Sequence, residues 1–271
     1  MPELPEVETI IKGIRPHIVG QMVNDVFIRQ RFLRWPIPED LPVLIKAQRI
    51  EAVFRRGKYI LIRMVRGTLL MHLGMSGSLR IVHGGSIPTK HDHVDILLSN
   101  NHCLRFRDPR RFGAILWTEN EPCQHSLLNS LGLEPFDQRF NGDYLYQQSK
   151  GRRISVKSFI MDSHIVVGIG NIYANEALFM AAIQPKRKIG RIAKHRYQTL
   201  TESIRYVLRN AIAQGGTTLK DFVNEVGNPG YFKQSLQVYG RNGEKCGRCQ
   251  TVIREQRLNQ RSTFYCPNCQ R

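Results

Sequence analysis

The chain has 271 residues, of which 41% are hydrophobic, and it carries 40 lysines and arginines against 22 aspartates and glutamates. This length predicts two domains and a small appendage, because a domain usually holds ~100–200 residues. The formal net charge of +18 predicts a polyanionic partner. It favours nucleic acid, DNA or RNA, over a membrane surface, because no long basic amphipathic segment stands out. No apolar run reaches the ~18 residues of a membrane span and no secretion signal is evident, so we expect a cytoplasmic protein.

The first segment, MPELPEVETI, leaves two interpretations open. Prolines and acidic residues are what the first turn of a helix prefers, and this segment alone favours a helix start. The alternative is that the end of the chain is itself a reactive group. The apolar residues that follow have helical spacing and predict a helix in the first twenty residues: Val7, Ile10, Ile11, Ile14 and Ile18.

Between about Gln21 and Trp117 the apolar residues form short runs of strand length, punctuated by glycine, proline and asparagine. The runs are VNDVFIR, RIEAVFR, KYILIRMV, TLLMHL, SLRIVH, HVDILLS, CLRFR and GAILW. Seven or eight such strands predict a β-sandwich or a β-barrel, with the N-terminal helix packed against it.

The pattern then changes to helical. The segment LGLEPFDQRFNGD, rich in polar residues, glycine and proline, predicts a linker, and helical spacing begins near Tyr144. GIGNIYANEALFMAA predicts a glycine turn that leads into a helix, whose first amides suit phosphate. A further amphipathic helix is predicted from Ile192 to Ile212, ending at Gly215 and Gly216.

The cysteines predict a metal site near the C-terminus. Two Cys-x2-Cys pairs, Cys246 with Cys249 and Cys266 with Cys269, are separated by sixteen residues, which is the spacing of a zinc ribbon. Two disulfides are the alternative, but a cytosolic protein with paired cysteines favours Zn²⁺. The two remaining cysteines have no neighbours that suggest a ligand or a base, so we interpret them as ordinary thiols: Cys103 and Cys123.

Several separated segments together resemble the bacterial formamidopyrimidine-DNA glycosylases, which remove oxidised purines from DNA. They are MPELPEVET, RRGKYIL, MHLGMSGSLR, KHDHVD, DPRRFG, VVGIGNIYANEAL, GGTTLKDF, LQVYGRNGEKC and QRSTFYCPNC. The resemblance implies an α+β fold: an N-terminal β-sandwich with flanking helices at 1–135, a helical domain with a helix-two-turn-helix at 136–235, and a zinc β-ribbon at 236–271. DNA would lie in the cleft between the two domains.

The same resemblance implies the chemistry. The enzyme would remove 8-oxoguanine and formamidopyrimidines and then cleave the abasic site by β,δ-elimination through a Schiff base on Pro2, after removal of Met1. Glu3 would donate or relay a proton to the opening deoxyribose, while Glu6 would order the site. Lys58 would bind phosphate and donate a proton in the β-elimination, and Arg261 would bind phosphate and serve the δ-elimination.

The resemblance also implies the DNA contacts and the cofactors. Met75, Arg110 and Phe112, expected in separate strand-end loops, would fill the gap left by the extruded base. The remaining phosphate and DNA contacts would be His91, Arg152, Lys157 and Asn171. Many relatives have Lys-Pro-Trp where this chain has Lys157-Ser158-Phe159. One structural Zn²⁺ per chain is expected, with no redox or nucleotide cofactor. The expected partner is damaged double-stranded DNA, and no membrane partner is expected. We expect a monomer in the bacterial cytoplasm, associated with the nucleoid when it is on DNA.

Two rival functions remain at the level of sequence. A zinc-ribbon protein that binds DNA or RNA without catalysis would explain the charge and the cysteines, but would not need Pro2, Glu3, Lys58 and Arg261 together. The related endonuclease VIII type favours oxidised pyrimidines. Its members have glycine where this chain has Leu4, and the segment GGTTLKDFVNEVGNPGYF resembles the purine-specific form.

Overall fold

The computed structural model describes residues 2–216 and 236–271. The helices are α1 (Leu4–Ile18), α2 (Leu41–Ile45), α3 (Gly142–Ser149), α4 (Val156–Ile160), α5 (Asn171–Met180) and α6 (Lys194–Ala213). The strands are β1 (Val23–Ile28), β2 (Ile50–Arg56), β3 (Tyr59–Met64), β4 (Gly67–His72), β5 (Ser78–His83), β6 (Asp92–Leu98), β7 (His102–Arg107), β8 (Ala114–Thr118), β9 (Arg254–Leu258) and β10 (Arg261–Tyr265). They form two compact units, 2–129 with 215–216, and 130–214 with 236–271.

The first unit is a β-sandwich, which decides between the two predicted β architectures. Its eight strands form two four-stranded sheets, ordered β1-β6-β7-β5 and β2-β3-β4-β8, with antiparallel neighbours. All eight predicted strands are present. Buried residues of both sheets and of α1 belong to one hydrophobic core, because strands with alternating patterns bury one face each.

Helix α1 covers the sandwich with the predicted face. The five apolar residues named above are all buried, and Leu4 is buried with them. The helix starts with a capping box: the Glu6 carboxylate accepts a hydrogen bond from the Glu3 N–H at 2.9 Å, which satisfies a main-chain donor that the helix leaves unpaired. The helix-start interpretation of the first segment is therefore correct, whatever else the segment does.

The second unit is helical, and it includes the segment predicted as a linker. That segment is instead folded: Arg205 of α6 donates hydrogen bonds to the carbonyls of Pro135, Asp137 and Phe140, and the Phe140 side chain is fully buried. Its polar and glycine-rich composition resembles a linker, but one cation binds three of its carbonyls. Helices α3 to α6 all lie in this unit and form its helical part.

The unit ends in a two-stranded antiparallel hairpin, β9 with β10, beside the four clustered cysteines. The predicted α+β fold of sandwich, helical domain and zinc ribbon is thus confirmed. Among the described residues no helix is long and apolar enough to cross a bilayer.

Candidate active site and zinc centre

The four ribbon cysteines form a tetrahedral metal site. Their sulfur atoms all lie within 4.8 Å of one another, and the Cys249 Sγ is 3.4 Å from the Sγ atoms of Cys266 and Cys269. Disulfide bonds are excluded, because bonded sulfurs are only ~2.05 Å apart. Four thiolates at a Zn–S distance of about 2.3 Å have sulfurs about 3.8 Å apart, close to the distances found. The chain holds one structural Zn²⁺ there.

Zinc content tests this site directly. We expect elemental analysis of the purified protein to find one zinc per chain, and Cys266→Ser to lose it, because three thiolates hold the ion less well than four. Cys123→Ser is the matched control: Cys123 is exposed and lies outside the cluster, so this variant should keep its zinc. Active protein without zinc would contradict the assignment.

At the start of the chain, a buried carboxylate residue, Glu3, directly follows Pro2 in the sequence. Pro2 is half-buried and precedes the helix, and Glu3 adopts an extended conformation at the helix N-cap. The Glu3 and Glu6 side chains are 2% and 1% exposed, so both carboxylates sit inside the protein beside the chain end. Gly216 lies against Glu6, because a Cβ at that position would stand 2.8 Å from the Glu6 Oε1.

A chain of contacts connects helix α1 to Lys58. The Glu8 carboxylate pairs with Arg55 at 3.1 Å, and Arg55 donates to the Gly57 carbonyl at 3.0 Å. Gly57 and Lys58 form the two-residue turn between β2 and β3, where Gly57 takes a φ of 58° that favours glycine. Lys58 is thus in the turn and not at the start of the strand, and the α1 N-terminus lies at the same end of the hairpin.

Sequence reasoning missed His72, the last residue of β4. His72 lies opposite Tyr59 in the sheet, with ring centroids 4.8 Å apart. Burial, together with the positive charges of Lys58 and Arg34, lowers the pKa of His72 to about 4, so the imidazole is neutral near pH 7. Its Nδ1 accepts from the Gly74 N–H at 3.0 Å, which leaves Nε2 as the protonated nitrogen. The available signal for His72 was its position: it lies beside a glycine turn, and it is paired across the sheet with the RRGKY segment.

The three predicted gap-filling residues come from two loops, not three. Residues 73–77 carry Met75, and residues 108–113 carry both Arg110 and Phe112; we call these the wedge loops. Met75 and Phe112 are each 43% exposed, which is unusual for large apolar side chains. The Arg110 guanidinium lies 4.8 Å from the centroid of the Phe112 ring, so the two side chains stack on each other.

The wedge loops pack main chain against main chain. A Cβ on Gly74 would lie 2.4 Å from the Phe112 carbonyl carbon, closer than any real contact, and Gly74 has a φ of 61°. His91 lies just before β6, half-buried, with its ring 6.4 Å from that of His93. Because the two wedge loops touch at Gly74 and Phe112, Met75, Arg110 and Phe112 lie on one part of the first unit.

In the second unit, Arg261 is the exposed first residue of β10. The turn before it, Asn259 and Gln260, has positive φ at both positions, as a type I′ hairpin requires. Asn171, the first residue of α5, donates through Nδ2 to the Ser262 carbonyl at 3.0 Å. Its Oδ1 is buried and has no hydrogen-bond partner within the described ranges.

Lys157 is 2% exposed, which differs from the usual position of a phosphate-binding lysine. Its Nζ donates to the Ser262 carbonyl at 2.9 Å and to the Thr263 hydroxyl at 2.7 Å, so it holds strand β10. Ser158, at the position where many relatives have proline, gives its N–H to the Ser155 hydroxyl at 3.1 Å. The Ser158 hydroxyl accepts from the Asn259 side chain at 2.9 Å.

Arg152 lies beside this region. Its guanidinium is 3.6 Å from the Asp162 carboxylate, and Asp162 lines a pocket of about 210 Å³. The pocket is lined by Lys157, Ser158, Met161, Asp162, Leu258, Asn259 and Arg261. Two of the predicted residues, Lys157 and Arg261, therefore line one pocket in the second unit, next to Arg152.

Comparisons with known proteins agree along the whole chain. Family models match residues 1–115 (formamidopyrimidine-DNA glycosylase N-terminal domain), 131–223 (formamidopyrimidine-DNA glycosylase H2TH domain) and 243–271 (zinc finger found in FPG and IleRS). The formamidopyrimidine-DNA glycosylase of Stutzerimonas stutzeri is 59% identical over 100% of both chains.

Two solved structures show the same fold with DNA. A Lactococcus lactis FPG variant in complex with Fapy-dG-containing DNA has 28% identity, a TM-score of 0.92 and coverage of 100% of both chains. The wild-type Lactococcus lactis FPG in complex with DNA containing an oxidized pyrimidine has 29% identity, a TM-score of 0.90 and the same coverage. The sandwich, the helix-two-turn-helix, the four-cysteine centre and these matches lead to one conclusion: the chain belongs to the formamidopyrimidine-DNA glycosylase family, and it is a DNA repair enzyme, a glycosylase with abasic-site lyase activity.

Proposed function

We propose that this enzyme extrudes oxidised purines, 8-oxoguanine and formamidopyrimidines, from duplex DNA, removes them, and cleaves the abasic site by β,δ-elimination through Pro2. The observation that carries the proposal is the chain start, where Pro2 directly precedes the buried Glu3 at the helix end that faces the Lys58 turn. The solved complexes of relatives with lesion-containing DNA support the substrate class.

The proposed first step uses the Pro2 nitrogen. Once Met1 is removed, Pro2 has a secondary amine with an α-amino pKa near ~7.7–8.0, against ~10.4 for a lysine, so a useful fraction, on the order of a tenth, is unprotonated at neutral pH. Its lone pair attacks the sugar C1′ as the glycosidic bond breaks and the base leaves with the bonding electrons. Glu3 delivers the proton that opens the deoxyribose ring at its oxygen. The nitrogen passes its one proton to the departing base, and its lone pair then forms the iminium as the C1′–O4′ bond breaks.

The proposed eliminations cut the strand on both sides of the sugar. Loss of a C2′ proton from the iminium expels the 3′ phosphate, and Lys58 binds phosphate and supplies a proton in this step. A second elimination expels the 5′ phosphate, which Arg261 binds from the β9–β10 hairpin. The zinc site takes no part in bond breaking; it fixes the ribbon that carries Arg261.

The proposed DNA contacts divide between lesion and backbone. Met75, Arg110 and Phe112 fill the gap left by the extruded base, because exposed apolar and guanidinium side chains can replace lost stacking. His91, Arg152, Asn171 and Lys157 are proposed at the phosphates. For Asn171 the support is its position at the first turn of α5, where main-chain N–H groups favour anions. For Lys157, whose ammonium group also holds β10, the support is the pocket it shares with Arg261.

A lesion panel tests the function. Duplexes with 8-oxoguanine, a formamidopyrimidine, an abasic site, an oxidised pyrimidine or no lesion are cut with the enzyme, and the ends are resolved on a gel. We expect fast cleavage of the two purine lesions and the abasic site, with phosphate at both ends of the gap from β,δ-elimination. The oxidised pyrimidine is included because a relative has been solved with such DNA. Preference for it over both purines would contradict the proposed substrate class.

A further inference from the structure

We infer that Asp108 is a positioning residue that holds both wedge loops and His91 in the arrangement that receives DNA. The inference rests on the proposed role of the wedge loops. Asp108 directly follows β7 and begins the DPRRFG motif. Nothing in its own sequence context distinguishes it from an ordinary turn aspartate, which commonly accepts hydrogen bonds from its own turn.

The Asp108 carboxylate joins the two wedge loops. Its Oδ1 accepts from the Ser76 hydroxyl at 2.7 Å, and Ser76 directly follows Met75. The same oxygen is 3.3 Å from the Arg110 N–H, and Oδ2 accepts from the Gly113 N–H at 2.8 Å. Gly113, which follows Phe112, Ser76, which follows Met75, and the main chain of Arg110 are therefore all held by one side chain.

The main chain of Asp108 joins a third segment. Its N–H donates to the His91 carbonyl at 3.1 Å, and its carbonyl lies 2.8 Å from the His93 Nε2, at hydrogen-bond distance. The proposed phosphate contact His91 and the proposed wedge are thus held by the same residue. The negative charge of Asp108 also acts on His72, where it opposes the lowering of the imidazole pKa.

Burial makes these bonds hard to replace. Asp108 is 0% exposed and its bond from the Gly113 N–H is buried, so removal of the carboxylate leaves that N–H unpaired, which is costly. The carboxylate accepts hydrogen bonds from three donors. Since the loops also touch main chain to main chain at Gly74 and Phe112, a shift of one loop displaces the other.

Fixed wedge loops would act on base extrusion more than on duplex binding. A side chain that must enter the base stack works best when its loop is already in place, because small misplacements of binding groups reduce rates strongly. Contacts with the phosphates of undamaged duplex depend on charge and tolerate looser loops. Asp108 should therefore affect lesion processing selectively.

The test compares Asp108→Ala, Asp108→Asn and Ser76→Ala with the unmodified protein. Asp108→Ala should slow single-turnover excision of 8-oxoguanine by on the order of tenfold to a hundredfold, because both loops lose their shared acceptor. It should also slow the fluorescence rise of a 2-aminopurine placed beside the lesion, which reports base unstacking. Affinity for undamaged duplex should change by less than about twofold, since that affinity comes from phosphate contacts.

The other two variants should lower the excision and unstacking rates by smaller amounts. They keep the proposal testable if Asp108→Ala does not fold. Asn fits the same space and can keep the Gly113 bond, so Asp108→Asn should recover part of the excision and unstacking rates. Ser76→Ala removes one donor and should give a smaller loss of the same kind. Asp25→Ala, which removes an exposed carboxylate from β1, is the matched charge control and should behave like the unmodified enzyme.

Met75→Ala and Arg110→Ala separate the two possible failures. If they leave lesion excision and unstacking unchanged, the proposed wedge role is wrong, and the inference falls with it. If they reduce both while the Asp108 and Ser76 variants do not, the wedge role stands and the positioning inference alone is overturned. Equal losses of undamaged-duplex affinity and lesion excision in the Asp108 variants would also overturn it.

Discussion

Blocking the N-terminal amine should abolish both base removal and strand cleavage. A retained Met1, or residues added before Pro2, turns the secondary amine into an amide that has no basic lone pair, so no iminium can form. Borohydride should trap the unblocked enzyme on 8-oxoguanine and abasic DNA and leave the blocked enzyme untrapped. Duplex binding should persist, because the basic residues are unchanged.

Two observations make this test decisive. The same residues added after Arg271 form the matched control, which should keep full activity and trapping. Mass spectrometry of the trapped complex should place the link on Pro2. A link on Lys58, with Pro2 unmodified, would overturn the mechanism and leave the first segment with only its role in starting helix α1.

Glu3→Gln should separate the two activities. Gln has nearly the same shape but cannot give a proton, and general acid catalysis contributes ~10²–10⁴-fold. We expect a loss of that order in excision of 8-oxoguanine. Cleavage of a preformed abasic site should fall much less, because the Pro2 amine can still attack the exposed C1′.

The control for this variant is Glu51→Gln, which changes the same group at an exposed position of β2. Rates on 8-oxoguanine and abasic duplexes, measured under single-turnover conditions, should match those of the unmodified enzyme. Glu3 is buried, so a melting curve should show that Glu3→Gln still folds. Equal losses on both substrates would show that Glu3 acts on the structure of the site and not as the proton donor.

Much of the fold could be predicted because its signals are local. Alternating apolar runs gave all eight sandwich strands, and the spacing of Val7 to Ile18 gave helix α1 with the correct buried face. The paired cysteines gave the zinc centre, because metal geometry restricts spacing along the chain. The exception was the segment at 131–143, three of whose carbonyls accept hydrogen bonds from Arg205, far away in sequence.

The residues behind the site could not be predicted in the same way. Asp108, His72 and the buried position of Lys157 each depend on neighbours from other strands or helices, which composition and spacing do not reveal. Lys157 shows the difference most clearly: its sequence context suggests a solvated cation, but its ammonium group is used inside the protein to hold β10. The roles proposed for the individual site residues stay predictions until the variants are measured.

The Ser158 contacts have a consequence for comparing or recombining sequences of this family. A proline at position 158 could fit the first turn of α4, but it would have no N–H for the Ser155 hydroxyl and no hydroxyl for Asn259. The contacts among positions 155, 158 and 259 therefore depend on one another, although Ser158 and Asn259 are 101 residues apart. A chimera that takes the α4 segment from a proline-containing relative and the hairpin from this chain would lose both contacts, and the turn that precedes Arg261 would lose the Ser158 acceptor of Asn259.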